Sequence, residues 1–401
     1  MKHVLFILDG ASDDPLPELG GRTPLEAAFT PHLDFLAGQG SLFRLQTAFE
    51  GFPVESLVCI MGILGYDPAR YYPHGRASVE ALARGIPLQA NDLALRCNIV
   101  RVSDDGAAML DFTAGMISDA HARQMLIRLR LPDIAWEVYP GQSYRNLLII
   151  RNARRGAPHV GRELVCAPPH MHTGETIRDL LPTGATPRAH KLALQLSDFL
   201  LDTFERFTSR TRPAGCVGNM LWVWSPSIAP NLPSFHERHG LRTFVVAGLD
   251  FMHGLGMACD MEFGLVPGAT GYMDTAYAAK AEAAITAARD HDFVIVHVNS
   301  PDEAAHQHDS RAKIAAIEGI DRFVIAPMLH FLRETHAGAF AVAACADHMT
   351  RCSDGKHVGE PTPCLIYPGS GSHAGSRLTE RDAAAAPLLP SLRFPKEFFH
   401  V

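Results

Sequence analysis

The sequence predicts an α/β protein: an α/β/α core with a mostly parallel sheet, interrupted by a smaller inserted α/β domain. Three observations carry this. Five short apolar runs are continuous rather than alternating, as strands buried on both faces are. Helix-patterned stretches lie between the later runs, so the C-terminal part alternates strand and helix. The pattern changes over residues 92–238 and ends in SPSIAPNLPS, Ser225 to Ser234, with three prolines in ten residues.

The first strand is His3 to Leu8 (HVLFIL), stopped by Asp9-Gly10. Within the inserted region ALRCNIVRV, AWEVYP and RNLLIIR have strand character, and Ala120 to Arg130 and Thr186 to Phe207 read as helices before CVGNMLWVW. The prolines of Ser225 to Ser234 forbid a regular element there, so this segment is expected to be a linker. Beyond it come strands at Arg242 to Ala247, Phe293 to Val298, Ala339 to Cys345 and Cys364 to Tyr367. Thr275 to Arg289 is an Ala-rich helix with Asp274 or Thr275 available as N-cap. Arg311 to Glu334 carries Ile314, Ile317, Ile320, Val324, Met328 and Phe331 at helical spacing. The expected core is therefore 1–91 with 239–401, and the inserted domain 92–238, with hinges near Asp92 and in the proline-rich segment.

Composition narrows the function. Of 401 residues 47% are hydrophobic and 20% charged, a globular balance. The net charge of −7 lacks the basic surplus of a nucleic-acid binder. No apolar run approaches the roughly 18 residues that span a bilayer, and Val4 to Leu8 is too short for a signal-peptide core. Eight cysteines without a CxxC pair read as reduced thiols of a cytoplasmic protein.

The 21 histidines direct attention to chemistry at strand ends. Asp9 closes the first strand, Asp302 and His306 follow FVIVHV, and Asp347-His348 follow AVAAC, with His357 nine residues on. In open α/β sheets such ends converge on one crevice. Three Asp and three His there suit a two-cation site, since carboxylate and imidazole are ligands that Mn²⁺ and Zn²⁺ share. Ser300-Pro301-Asp302-Glu303 reads as a capping box, which puts Asp302 and His306 one turn apart on one helix face. Taken singly, each piece has a plainer reading. Asp9 and Asp347-His348 can be turn caps, and D-x-x-x-H can be a solvated helix face. His308 and Asp309 read as helix surface or as supports of the ligands.

The order DG, a lone Ser56 before ILGYDP, PDEAAH, ADH and a following His resembles the archaeal-type cofactor-independent phosphoglycerate mutases, in their bacterial branch, within the alkaline phosphatase superfamily. GGRTPLEAAFTPHLDFLA, LALRCN, LWVW, VPGATGYMDT and GEPTPCLIY carry the resemblance along nearly the whole chain. It implies an alkaline-phosphatase-like core with an inserted substrate-binding cap. It implies one metal on Asp302, His306 and His357, and a second on Asp9, Asp347, His348 and the Oγ of Ser56, the nucleophile. The cofactors implied are two divalent cations, Mn²⁺ first, with Zn²⁺, Co²⁺ or Mg²⁺ as alternatives, and no 2,3-bisphosphoglycerate.

The implied substrate is a small phosphorylated acid held by Arg76, Arg96, Arg145 and His253. The implied activity is interconversion of 2- and 3-phosphoglycerate through a phosphoserine. The departures keep alternatives open: Leu57 and Ile60 replace polar neighbours of the nucleophile, Asn146 a usual His, and His253 a usual Lys. The alternatives are a metallophosphatase or phosphotransferase acting on another phosphorylated or phosphonate acid, and a non-catalytic metal-binding relative. Oligomeric state is not legible.

Overall fold

The computed structural model describes residues 1–151, 157–208, 212–369 and 376–400. The chain divides into two compact units, Met1–Tyr72 with Leu232–Val401, and Pro73–Asn231.

The first unit is built on an eight-stranded sheet. Its order is Glu262–Phe263, Thr243–Val246, Phe293–Val298, Lys2–Leu8, Phe340–Cys345, Thr362–Tyr367, Ser41–Gln46 and Leu388–Pro390. All strands run one way except Thr362–Tyr367, which is antiparallel to both neighbours. The three central strands are buried along almost their whole length, which is why their sequences are apolar without alternation. Helices Pro31–Gln39, Tyr277–Asp290 and Ala326–His336 contribute to the core that covers them. Register fixes the site: Leu8 lies opposite Val298, and Ile7 opposite both His297 and Cys345, so three carboxyl ends finish level with one another.

The second unit has a five-stranded antiparallel sheet in which Leu93–Val102 pairs with Met109–Asp111, Arg145–Ile150 and Met220–Ile228, and Trp136–Tyr139 extends it. The helix Pro187–Thr208 packs on it through Ala193, Leu196, Phe199 and Leu200.

Four expectations need correction. The unit boundaries fall at 72/73 and 231/232 rather than 91/92 and 238/239, because Ala77 and Ala81 of the helix Ala77–Ala83 pack with Ala94, Leu147 and Ile149. The proline-rich segment is not all linker, since Met220–Ile228 continues as a strand through Ser225-Pro226-Ser227. A register shift opposite Ala94 to Arg96 and a left-handed Ser225 (φ 51°) accommodate Pro226. The flanking serines accept hydrogen bonds from the backbone N–H groups of Arg76 (3.1 Å) and Ser78 (2.7 Å), at the start of the helix Ala77–Ala83 far earlier in the chain. The helix expected from Arg311 to Glu334 forms as Ser310–Ile320 and Ala326–His336 joined by a π turn at Asp321–Ile325, next to Pro327, which has no N–H to donate. Neither Asp274 nor Thr275 caps Tyr277–Asp290, whose N-cap is Ala276. Among the described residues no helix is long and apolar enough to cross a membrane.

His3 supplies a prediction about stability. Its ring is buried edge-on to Phe398 and Phe399, with both nitrogens unpartnered. Burial, aided by the N-terminal charge, lowers its pKa from 6.5 to about 4. The unfolded chain therefore takes up this proton first, and stability falls as pH drops through the window from 6.5 to about 4. His3→Leu is expected to flatten part of that fall, read as the change in urea midpoint between pH 7.5 and pH 5.

Candidate metal centre and nucleophile

The level strand ends bring the chemistry together. Asp9 follows Lys2–Leu8, Asp347 and His348 follow Phe340–Cys345, and Asp302 and His306 lie on the helix Ser300–His306 just past Phe293–Val298. His357 arrives on a short strand paired with Met349–Thr350, and Ser56 is the first residue of the helix Ser56–Ile63. Gly10 makes the approach possible: at φ 61° a Cβ there would lie 2.6 Å from Asp302 Oδ1 and 2.7 Å from Thr350 Oγ1. Two groups of potential ligands result, Asp302 with His306 and His357, and Asp9 with Asp347 and His348, the ligand atoms of each within 4.8 Å of one another.

In the first group the ring orientations are fixed by carbonyls. His306 Nδ1 lies 2.8 Å from the Gly355 carbonyl and His357 Nδ1 3.0 Å from that of Val54. A carbonyl only accepts, so both Nδ1 atoms carry the proton and both Nε2 atoms offer lone pairs. Those Nε2 atoms face each other at 3.1 Å and Asp302 at 3.3 and 3.4 Å. Two bare imidazole nitrogens and a carboxylate in contact repel unless something positive sits among them. A single proton relieves part of this. Burial opposes it, but Asp302 prevails and raises the pKa of His306. Burial would likewise raise the Asp302 carboxyl, and the two histidines outweigh it and hold it well below the usual range. A divalent cation satisfies all three donors at once.

The second group is fully buried, with Asp9, Asp347 and His348 each 0% exposed. His348 Nε2 lies 3.4 Å from Asp9 Oδ1 and 3.5 Å from Asp347 Oδ2. Asp347 Oδ1 accepts from the backbone of Gly10 and His348, whereas Oδ2 is buried without a hydrogen-bond partner. Burial raises the pKa of Asp347, and burial keeps His348 neutral far below its ordinary titration. A neutral imidazole and two buried carboxylates, one with an orphaned oxygen, fit a cation. Ser56 Oγ joins this group, 3.2 Å from His348 Nε2 and 3.5 Å from both oxygens of Asp9.

Some local expectations are revised. Ser300 is not an N-cap: Asn299 is, and the Ser300 hydroxyl bonds the Tyr277 hydroxyl at 2.7 Å, yet Asp302 and His306 still share a face. Leu57 and Ile60 are core residues, 1% and 0% exposed, so they pack the base of the nucleophile's helix. His308 donates from Nδ1 to the Cys352 carbonyl at 2.9 Å, and Asp309 caps the following helix at Ala312. Two residues were missed. His297 Nε2 donates to Asp9 Oδ2 at 2.9 Å, and a lone polar residue inside the apolar run FVIVHV was the available signal. Thr350 contacts both groups, which nothing in ADHMT announces.

In the second unit Arg76 and Arg96 share one acid, Glu80, and Arg145, 5.0 Å over the Tyr144 ring, is near enough for its charge to act on Arg96. Arg96 Nε lies 3.1 Å from Glu80, its guanidinium stacks 4.3 Å over Trp224, and Arg76 Nε lies 3.8 Å from Glu80. Burial, moderated by Glu80 and reinforced by the charges of Arg76 and Arg145, lowers the Arg96 pKa to about 10. His253 is placed differently, buried and stacked on Phe263 with ring centroids 4.7 Å apart.

Fold and geometry thus define an α/β protein whose strand ends bring one serine together with two sets of side chains that could hold metal ions. A family model described as 2,3-bisphosphoglycerate-independent phosphoglycerate mutase matches residues 37–211. The chain is 39% identical over 368 residues to the 2,3-bisphosphoglycerate-independent phosphoglycerate mutase 2 of Methanothermobacter thermautotrophicus, covering 91% of this chain and 88% of that one. It is 33% identical over 395 residues to a probable 2,3-bisphosphoglycerate-independent phosphoglycerate mutase of Geobacter sulfurreducens, covering 97% and 96%. Among solved structures, a protein of Pyrococcus horikoshii matches with TM-score 0.76 at 26% identity, covering 99% and 96% of the two chains. The cofactor-independent phosphoglycerate mutase of Thermoplasma acidophilum matches with TM-score 0.61 at 25% identity, covering 100% and 99%. The chain belongs to the 2,3-bisphosphoglycerate-independent phosphoglycerate mutase family.

Proposed function

We propose that this protein interconverts 3-phosphoglycerate and 2-phosphoglycerate through a phosphoserine at Ser56. The observation that carries the reading is Ser56 Oγ itself, set within 3.5 Å of Asp9 and His348 at the first residue of a helix. The N–H groups that begin this helix are donors for phosphoryl oxygens, and its dipole favours negative charge there. Ser56 gives up its proton as Oγ attacks phosphorus, the bond to the substrate's 3-oxygen breaks, and the departing 3-oxygen takes up that proton equivalent. The 2-hydroxyl then attacks the phosphoserine as the bond from phosphorus to Oγ breaks, and its proton equivalent restores the Ser56 hydroxyl.

The ligands of one cation are Asp302, His306 and His357, and of the other Asp9, Asp347, His348 and Ser56. Mixed imidazole and carboxylate donors are ones that Mn²⁺ accepts, with Zn²⁺, Co²⁺ or Mg²⁺ as alternatives. When bound, the cations lower the serine pKa and offset charge on the transferring group. Arg76, Arg96 and Arg145 take the anionic groups of the substrate.

The test is purified protein with Mn²⁺ and 3-phosphoglycerate. Formation of 2-phosphoglycerate without phosphate release is expected, and release of inorganic phosphate in step with substrate loss would make the protein a phosphatase instead. Arg145→Ala is expected to raise KM at least tenfold with metal content unchanged. Arg145→Lys should also be impaired, because Lys lacks the planar fork that grips a carboxylate or phosphate, a difference of about 1.5–3 kcal/mol for a charged hydrogen bond. Unchanged KM in both variants would assign Arg145 to structure.

A further inference from the structure

We propose that Thr350 is a positioning residue whose one hydroxyl fixes the tautomer of His348 and the orientation of Asp302, and so holds both ligand groups in a single arrangement. The inference rests on the two-cation reading above. Thr350 is fully buried, with Oγ1 2.6 Å from Asp302 Oδ1 and 3.1 Å from His348 Nδ1. A hydroxyl carries one proton, and a ligand carboxylate only accepts, so the proton goes to Asp302. The Thr350 oxygen must then accept from His348, which places the imidazole proton on Nδ1. The opposite assignment would leave two lone-pair oxygens facing each other at 2.6 Å with no proton between them.

The consequence is directional. With Nδ1 protonated, His348 turns a bare Nε2 toward Ser56 (3.2 Å), Asp9 (3.4 Å) and Asp347 (3.5 Å). His306 and His357 have the same polarity through backbone carbonyls. His348 alone depends on a side chain for it, and that side chain also serves the other group.

Thr350 is itself held in place. Its N–H donates to the Ser12 carbonyl at 3.2 Å, and its carbonyl accepts from Lys313 Nζ at 2.7 Å. Lys313 is buried and paired with Asp13 at 2.9 Å, so the backbone that carries the hydroxyl is anchored independently of any ligand. The supporting partners of metal ligands commonly contribute 10- to 100-fold in metal affinity.

The experiment is calorimetric titration of metal-free wild type, Thr350→Val and Thr350→Ser with Mn²⁺. Valine keeps the shape and removes both hydrogen bonds, so both equivalents should bind roughly 10- to 100-fold more weakly. Serine keeps the hydroxyl and should restore wild-type affinity. Wild-type titration of Thr350→Val, weakening confined to one equivalent, or a serine variant as weak as the valine one would each overturn the proposal. Wild type that takes up no Mn²⁺ would overturn the metal reading itself, which separates the two failures. A measurement on metal-free wild type avoids any folding defect: long-range ¹H–¹⁵N spectra should show His348, assigned by its loss in His348→Gln, as the Nδ1–H tautomer. An Nε2–H tautomer would refute the assignment.

Discussion

Replacing Ser56 by Ala is expected to lower interconversion of the phosphoglycerates by roughly 10⁴-fold or more, the scale on which removal of a catalytic nucleophile acts. The loss should be chemical rather than structural. Ser56 begins its helix with Glu55 as N-cap, and the hydroxyl contacts Asp9 and His348. Alanine is a better helix former than serine, so the melting temperature of the metal-free variant should match wild type. Asp9, Asp347 and His348 remain to hold the buried cation, so metal content should persist. Intact mass after rapid quench of the wild-type reaction should show one phosphoryl adduct on the peptide containing Ser56, and none in the variant. Turnover within tenfold of wild type in Ser56→Ala would show that another group carries the phosphoryl.

The parts of this site that were legible in the sequence are those set by local chemistry. A buried parallel strand must be apolar on both faces, so Phe293–Val298 and Phe340–Cys345 are readable as strands, and an Asp or His just past such a run lies at a strand end. What was not legible depends on long-range register. Nothing near Ser300 says that Tyr277 will take its hydroxyl, so the capping box looked sound and did not form. Pro226 argues locally against a strand, and only a bulge opposite Ala94 to Arg96 allows one. Leu57 and Ile60 looked like losses beside a nucleophile because a sequence does not say which helix face meets the core. His297 and Thr350 gain their importance from partners 288 and 48 residues away, Asp9 and Asp302.

The second large effect is a reversal of sign at Asp347. In the metal-free protein this carboxylate is fully buried, its Oδ2 is without a partner, and His348 Nε2 lies 3.5 Å away with its lone pair inward. Burial and the nearby charge of Asp302 make ionisation of Asp347 costly, which is the direction of its raised pKa. Asparagine keeps the shape, and its Oδ1 can still accept from the Gly10 and His348 backbones as Asp347 Oδ1 does. Its amide would turn an N–H toward the bare His348 Nε2, replacing a repulsion with a hydrogen bond. In excess chelator Asp347→Asn should therefore melt at or above wild type. With Mn²⁺ the order should invert, because wild type gains about 2.7 kcal/mol per site at a hundredfold excess over Kd, and the variant loses one of two equivalents. Interconversion should fall by roughly 10³-fold or more, since a neutral amide is a poor ligand and the group beside Ser56 loses a charge. Asp302→Asn should lose the other equivalent, while its metal-free form should not be stabilised, because the Thr350 hydroxyl donates to Asp302 and a proton on His306, favoured by Asp302, already offsets its charge. Parallel melts of the three proteins in chelator and in Mn²⁺ decide this, and Asp347→Asn melting below wild type in both conditions would mean that the buried carboxylate is a structural residue rather than half of a cation site.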